Sequence, residues 1–259
     1  MSSAPTPFDA LRSRADEACL NGWPAVREVV LDAAVLRLSG GYTRRANSVN
    51  LLGPIRREPA DFIRACENVY DRGGLPTIFR LSSAVPGDLG PALEQAGFGA
   101  PEDETLVLRR DLRGFRRDTE GDVSLTSRPI ESGWLDALAG IQGLDDTKRD
   151  IRRLIIDAIA VPAVFAATQV DGQAVALAFG ALHDGMVCIN SVATHPDFRR
   201  RGFARRAIGA VLAWAAGEGR ATDACIPVVA GNHPAVALCR GLGFEDEVLR
   251  YHYRRRPDA

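Results

Sequence analysis

The sequence predicts an α/β (α+β) fold in two tandem domains, each a central mixed β-sheet flanked by helices. Three observations lead there. The second half alternates strand-like and helix-like patterns in the order of a β-meander followed by βαβαβ. The stretch RRDLRGFRRDTEGD, residues 109–122, is dense in charge and poor in apolar residues, the composition of an exposed connection. The parts on either side of it end alike. LEQAGFGAPEDETLVLRR (93–110) and CRGLGFEDEVLRYHYRR (239–255) each hold a short helix, a Gly-Phe turn, a Glu-Asp-Glu and a strand-like run closing in arginines. The shared order predicts an internal duplication; two unrelated α/β ends with similar turn chemistry are the alternative. The predicted domains are 1–115 and 118–259.

Each element of the second half has a local cause. VSLTSRPI (123–130) has the pattern of a strand. SGWLDALAGI and TKRDIRRLIIDAIA have helical spacing, with Ile151, Leu154, Ile155 and Ala158 expected on one face. AVFAATQV and QAVALAFGAL are apolar runs joined by Asp171-Gly172, a two-residue hairpin signal. MVCINSVAT is a strand stopped by Pro196, which has no N–H for the ladder. Phe203, Ala207, Ile208, Val211, Leu212 and Ala215 then mark a helix with one apolar face. ATDACIPVV is a strand interrupted by Pro227, PAVALCRGL a short helix, and EVLRYHYRR the last strand.

Composition narrows the function. The chain has 259 residues, 46% hydrophobic, with a formal net charge of −1. That balance argues against a general nucleic-acid binder and makes any basic cluster a local device. No signal-peptide core opens the sequence, and no run approaches the ~18 apolar residues of a membrane span. Cys19, Cys66, Cys188, Cys225 and Cys239 are odd in number and scattered, with no CxxC, so reduced thiols in a cytoplasmic protein are expected. The four histidines lack ligand spacing, and no metal site is expected.

One stretch carries chemistry. HPDFRRRGFARRA, residues 195–207, sets five arginines around Gly202 where an apolar helical pattern begins. The first N–H groups of a helix have no intrahelical partner, and the helix dipole puts partial positive charge there. A glycine lets the backbone approach a ligand, and arginines offer paired donors to phosphate oxygens. The combination is that of a pyrophosphate cradle, with a solvated basic helix start as the bland alternative.

At these residues the sequence resembles the GNAT superfamily of acyl-CoA-dependent N-acetyltransferases. RRRGFA, Arg199 to Ala204, is similar to its Arg/Gln-x-x-Gly-x-Gly/Ala loop. NHPAVALCRGLGF, 232–244, is similar to its Asn-x-x-Ala-x-x-Leu-(Tyr)-x-x-x-Gly-Phe, through Asn232, Ala235, Leu238, Gly243 and Phe244. The two motifs cover most of 122–256. The resemblance implies that acetyl-CoA is the cosubstrate. Its pantetheine arm would pair with the backbone of Val192, Ala193 and Thr194. Its pyrophosphate would lie on Arg199, Arg200, Arg201, Gly202, Phe203, Ala204 and Arg205, with Asn232 farther along. The strands before the loop and after its helix would splay to admit the thioester, and Pro227 suits such a broken ladder. Residues 1–115 carry no such loop and resemble a degenerate second copy.

The implied reaction is direct transfer of an acetyl group to a primary amine, on a small molecule or a protein. Family members often carry tyrosine where this chain has Cys239, so Cys239 is either a proton donor or a packing residue. Tyr251, which shares a strand face with Tyr253, is the other candidate acid. No carboxylate stands out as a base. For the acceptor, Asp145 and Asp146 either attract an ammonium group or cap a helix. In GGYTRRANSVN (40–50), Arg44, Arg45 and Asn47 belong either to a plain hairpin or to a polar wall of the acceptor pocket. A non-catalytic acyl-CoA sensor is the alternative function. The partner is an amine, with neither nucleic acid nor membrane, on a monomer or homodimer.

Overall fold

The computed structural model describes residues 6–85, 89–116 and 123–257. The first half runs α1 (Pro7–Asn21), β1 (Arg27–Leu31), β2 (Ala34–Leu38), β3 (Val49–Leu51), α2 (Pro59–Arg72), β4 (Ile78–Ser82), α3 (Gly90–Gln95) and β5 (Glu102–Asp111). The second runs β6 (Val123–Thr126), α4 (Trp134–Gln142), α5 (Asp146–Asp157), β7 (Ala163–Val170), β8 (Gln173–His183), β9 (Met186–Thr194), α6 (Phe203–Ala216), β10 (Asp223–Val229), α7 (His233–Gly241) and β11 (Asp246–Arg255). Local signals explain many boundaries. Thr6 caps α1 in a reciprocal box with Asp9, and Pro7 occupies the first turn, where its missing N–H costs nothing. Asp171 (φ 50°) and Gly172 (φ 78°) make the tight β7–β8 turn that their sequence announces.

The strands form one sheet in the order β1-β2-β3-β4-β11-β5-β10-β9-β8-β7-β6. Its parallel pairs are β3–β4 and β9–β10. Outward from the centre the two halves mirror each other, and the last strand of each lies in the territory of the other. β11 sits between β4 and β5, and β5 sits between β11 and β10. The matched endings repeat in detail. After α3, Gly97 (φ 83°) lets Phe98 N–H reach Leu93 O at 2.9 Å; after α7, Gly243 (φ 79°) lets Phe244 N–H reach Cys239 O at 3.1 Å. Both are helix ends closed through a left-handed glycine, and both phenylalanines are buried.

Two expectations are corrected. The charged stretch 109–122 does not begin as a connection. Residues 109–111 finish β5, and Arg109 spends its charge on Asp223 and Asp246 in neighbouring strands; residues 117–122 lie outside the described residues. On α5, Leu154 is 51% exposed. The face that packs holds Ile155, Ile156 and Arg152, whose guanidinium lies over the Tyr42 and Trp23 rings.

The core under the site is made by α6. All six residues of its expected apolar face are buried against β7, β8 and β9. The approach is close: a side chain at Gly180 of β8 would collide with Val211 of α6 and Val187 of β9. On the opposite side, α1 covers β8, β9, β10 and β11.

Candidate active site

The β9–β10 ladder starts at Met186–Asp223 and ends at Cys188–Cys225. Beyond that rung the strands part, although β10 stays paired to β5 as far as Val229. Two local features open the gap. Pro227 has no N–H to donate, and β9 bulges so that Ser191 and Val192 oppose Ala178 alone. Ser191 sits at φ 50°, a costly conformation for a residue with a side chain. The result is a slot of about 280 Å³ between Ile189–Val192 and Ile226–Val229, floored by Ile208, Leu238 and Cys239.

The arginine loop stands at the end of β9. A short 3₁₀ turn, Pro196–Phe198, leads to Arg200 (φ 61°) and Gly202 (φ 79°), which caps α6. A Cβ built on Gly202 meets nothing within 4 Å, so the backbone there faces open ground. Arg199, Arg200 and Arg201 are exposed, and Phe203 is buried beneath them. Arg201 lies 5.2 Å over both the Phe198 and Phe203 rings. Arg205 is a partial exception to the expected cradle. Its Nη2 donates to Gly241 O at 2.7 Å, tying α6 to the end of α7, so only its backbone belongs to the loop. Val192 lines the slot, while Ala193 and Thr194 are hydrogen-bonded to β8 on their other side. Asn232 lines the slot and also caps α7, its Oδ1 accepting from Ala235 N–H at 3.2 Å.

A second chamber of about 310 Å³ shares Arg45, Pro227 and Val229 with the slot and is otherwise lined by Thr43, Arg44, Asp103, Thr105, Tyr251 and Tyr253. Arg45 connects the halves: its Nη1 donates to Asn190 Oδ1 at 2.8 Å, and its guanidinium lies 5.0 Å over Trp23. Arg44 is balanced by Glu102 and Asp103, each at 2.8 Å. Asn47, expected beside them, is not on the wall. It is 2% exposed, accepts from Ser39 and Gly41 N–H and donates to Tyr42 and Thr43 carbonyls, so it shapes the loop from behind. Arg37 does the same from deeper, donating to the Arg45, Leu20 and Trp23 carbonyls; burial pulls its pKa down to about 10. Neither Arg37 nor the Ser191 bulge carries a sequence signal, since both depend on partners from distant segments.

The candidate acids occupy different chambers. Cys239 is buried beside the slot, and burial pushes its thiol up to about 11. Tyr251 lines the second chamber beside Thr105, its ring edge-to-face with Tyr253 at 5.7 Å and Arg80 stacked 3.9 Å over it. Burial raises its phenol, and the charges of Arg45 and Arg80 pull the other way. Of the two readings of Asp145 and Asp146, the structure favours helix capping, at Asp145, over attraction of an ammonium group. Asp145 caps α5 through Lys148 N–H at 2.8 Å and pairs with the Lys148 ammonium; both aspartates are exposed and line neither chamber.

A mixed sheet of two mirrored halves, in the second of which the parallel strands β9 and β10 splay behind an arginine-rich helix start, is the architecture of a GNAT-type N-acetyltransferase. The family described as "Probable histone acetyltransferase Rv0428c C-terminal" matches residues 11–256, and the chain belongs to that family. It is similar to an uncharacterized N-acetyltransferase, YobR, of Bacillus subtilis (strain 168), 24% identical over 234 residues that make up 90% of this chain and 93% of the relative. Its fold is similar to a GCN5-related N-acetyltransferase from Kribbella flavida (TM-score 0.70, 17% identity, 99% of this chain and 98% of that one). It is also similar to a tandem GNAT protein from the clavulanic acid biosynthesis pathway (TM-score 0.64, 14% identity, 100% and 90%). Among the described residues no helix is long and apolar enough to cross a membrane.

Proposed function

We propose that this acetyltransferase moves an acetyl group from acetyl-CoA to a primary amine by direct attack, using the second half's slot for the donor and the shared second chamber for the acceptor. The observation that carries the proposal is that the gap between β9 and β10 shares Arg45, Pro227 and Val229 with the second chamber, while β9 runs from the gap into the loop whose backbone at Gly202 faces open ground. A pyrophosphate suits that loop because α6 offers unpaired N–H groups, a favourable dipole and exposed arginines at one point. An extended arm suits the gap because the edge of β9 that faces it has lost its strand partner.

The chemistry asked of the protein is modest. The neutral amine nitrogen attacks the thioester carbonyl, the C–S bond breaks, the thiolate takes a proton and the new ammonium loses one. Backbone N–H groups at the Ser191 bulge are the candidates to stabilise the developing oxyanion. Holding both reactants in adjoining chambers supplies proximity. Tyr251 is the proposed proton donor. It lines the acceptor chamber with Tyr253 and Thr105, and the charges of Arg45 and Arg80 work against the rise that burial imposes on its phenol. Cys239 is assigned to packing: with Ile208, Leu242 and Phe244 it forms part of a buried cluster, and a thiol near 11 gives up its proton reluctantly to a leaving thiolate of ordinary pKa, ~8.5. Arg44 and Arg45 form the acceptor wall.

Residues 1–115 are proposed as a degenerate copy that supplies this wall and β5, and 118–259 as the cofactor-binding unit. All five cysteines are free, which suits a reducing cytoplasm. The test is release of free CoA thiol from acetyl-CoA and longer acyl-CoAs across a panel of small amines, amino acids and peptides. Amine-dependent thiol release supports the enzyme. Tight CoA binding with no turnover on any amine would instead support the sensor.

A further inference from the structure

Linear spacing scatters the cysteines, yet three of them meet. Cys19 of α1, Cys188 of β9 and Cys225 of β10 bring their Sγ atoms within 4.8 Å of one another, with Cys19 and Cys188 3.9 Å apart. None is more than 4% exposed. Cys188 and Cys225 face each other on the last rung before the β9–β10 gap, and α1 lowers Cys19 onto them from above. None of the three lines either chamber, and the reaction proposed above makes no use of them. The expectation of no metal site came from spacing along the chain, which cannot register a helix folding back 169 residues in sequence.

We propose that Cys19, Cys188 and Cys225 form a binding site for one soft, monovalent, thiophilic cation, of which Cu(I) is the representative. The donor set is all sulfur, which selects soft ions over magnesium, calcium or manganese. Among the described residues no fourth Cys, His, Asp or Glu joins the group, whereas a structural zinc site closes a tetrahedron with four ligands. A d¹⁰ monovalent ion is satisfied by two or three sulfurs.

Charge points the same way. Ala15, Ala18, Met186 and Val248 share the buried cluster, and the nearby Arg80 guanidinium is already paired with Asp16 at 2.6 Å, so a further net charge left there is costly. The three sulfurs already face one another, the Cys188 thiol donating to Cys19 Sγ across 3.9 Å. On binding, one of the three thiols releases its proton to solvent, the cation takes that proton's place on the thiolate, and the other two donate sulfur lone pairs as thiols. One H⁺ leaves and one M⁺ enters, so the charge of the core is unchanged. A divalent ion would need a second buried thiolate to reach the same balance. Asn190 borders the group, its Nδ2 lying 3.2 Å from Cys188 O and 3.5 Å from Cys188 Sγ.

The test uses the full-length reduced protein equilibrated with Cu(I) presented as its bicinchoninate complex, read by loss of the chelate colour and by native mass spectrometry. The expected result is one Cu(I) per chain, retained in the Cys66→Ala/Cys239→Ala protein and weakened at least 100-fold in Cys188→Ala. A readout on the unaltered chain guards against a variant that fails to fold. In mild urea, Cu(I) should slow alkylation of Cys19, Cys188 and Cys225 in peptide maps while leaving Cys66 and Cys239 unaffected. No transfer from the chelator, a protection pattern centred on Cys66 or Cys239, or displacement of Cu(I) by equimolar Zn(II) would each overturn the site.

Discussion

The two halves of the sheet start a helix at the same place and do opposite things with it. In the second half the chain reads Arg-Arg-Arg-Gly-Phe-Ala into α6; in the first it reads Arg-Arg-Glu-Pro-Ala into α2. Gly202, left-handed and facing open ground, caps α6. Glu58 caps α2, putting negative charge where an anion would have to sit, and Pro59 removes one of the N–H groups that would hold it. The amides before α2 are already taken: Arg56 and Arg57 N–H donate to Asp32 at 2.8 and 3.1 Å, and Arg56 Nε adds an ion pair at 2.8 Å. Those contacts hold the Asp32 carboxyl below the usual range. Asp32, from the β1–β2 turn, supplies an internal anion where the other half presents vacant donors. In the degenerate copy proposed above, the place of the phosphate would thus be filled from within.

The halves remain bound to each other through the exchanged strands, and the largest predicted effect tests this. Deleting residues 246–257 removes β11 from between β4 and β5. Both halves should then lose their cooperative thermal transition together, a loss of the whole ~5–15 kcal/mol typical of folded domains. A first half that keeps its own transition in calorimetry would refute the shared sheet. For the same reason, a cut at 115–118 separates β5 from β10 and is a poor way to isolate the cofactor unit.

Gly202→Glu would impose on α6 the charge that α2 already carries. CoA affinity measured by calorimetry should fall at least ~100-fold, since the carboxylate enters the ground proposed for the pyrophosphate, while stability drops by only about 1–2 kcal/mol for a side chain at φ 79°. Unchanged CoA binding by a folded Gly202→Glu protein would remove the cradle from the argument.

The candidate acids come next, because they sit on opposite sides of the boundary between the chambers. Tyr251→Phe should lower kcat by about 10² with CoA affinity intact, the ordinary scale for a lost general acid. Cys239→Ala should leave kcat within about tenfold, below that scale, and cost about 1 kcal/mol of stability from lost packing. The reverse pattern in steady-state kinetics would move the proton donor into the slot.

The smallest effect belongs to the start of α2. Glu58→Gly relieves the charge at α2 without evicting Asp32, so no second CoA should bind in calorimetry, and stability should change by only about 0.5 kcal/mol at a helix cap that makes no side-chain hydrogen bond. A second bound CoA would mean that the charge at position 58, and not the filled loop, had silenced the site.

What the sequence determined by itself was local. The apolar face of α6, the Asp171-Gly172 turn, the two Gly-Phe helix ends and the loop around Gly202 each follow from residues a few positions apart, where periodicity and permitted φ values decide the outcome. The tertiary structure decided what each polar side chain meets. Arg45 reaches Asn190 across the halves, Asn47 turns inward behind its own loop, Arg205 ties down α7, and Leu154 faces water while Arg152 is buried. Strand exchange and the meeting of Cys19, Cys188 and Cys225 belong to the same class. A long side chain is placed by the donors, rings and charges that distant segments bring to it, and chain spacing carries no record of those segments until the sheet has closed.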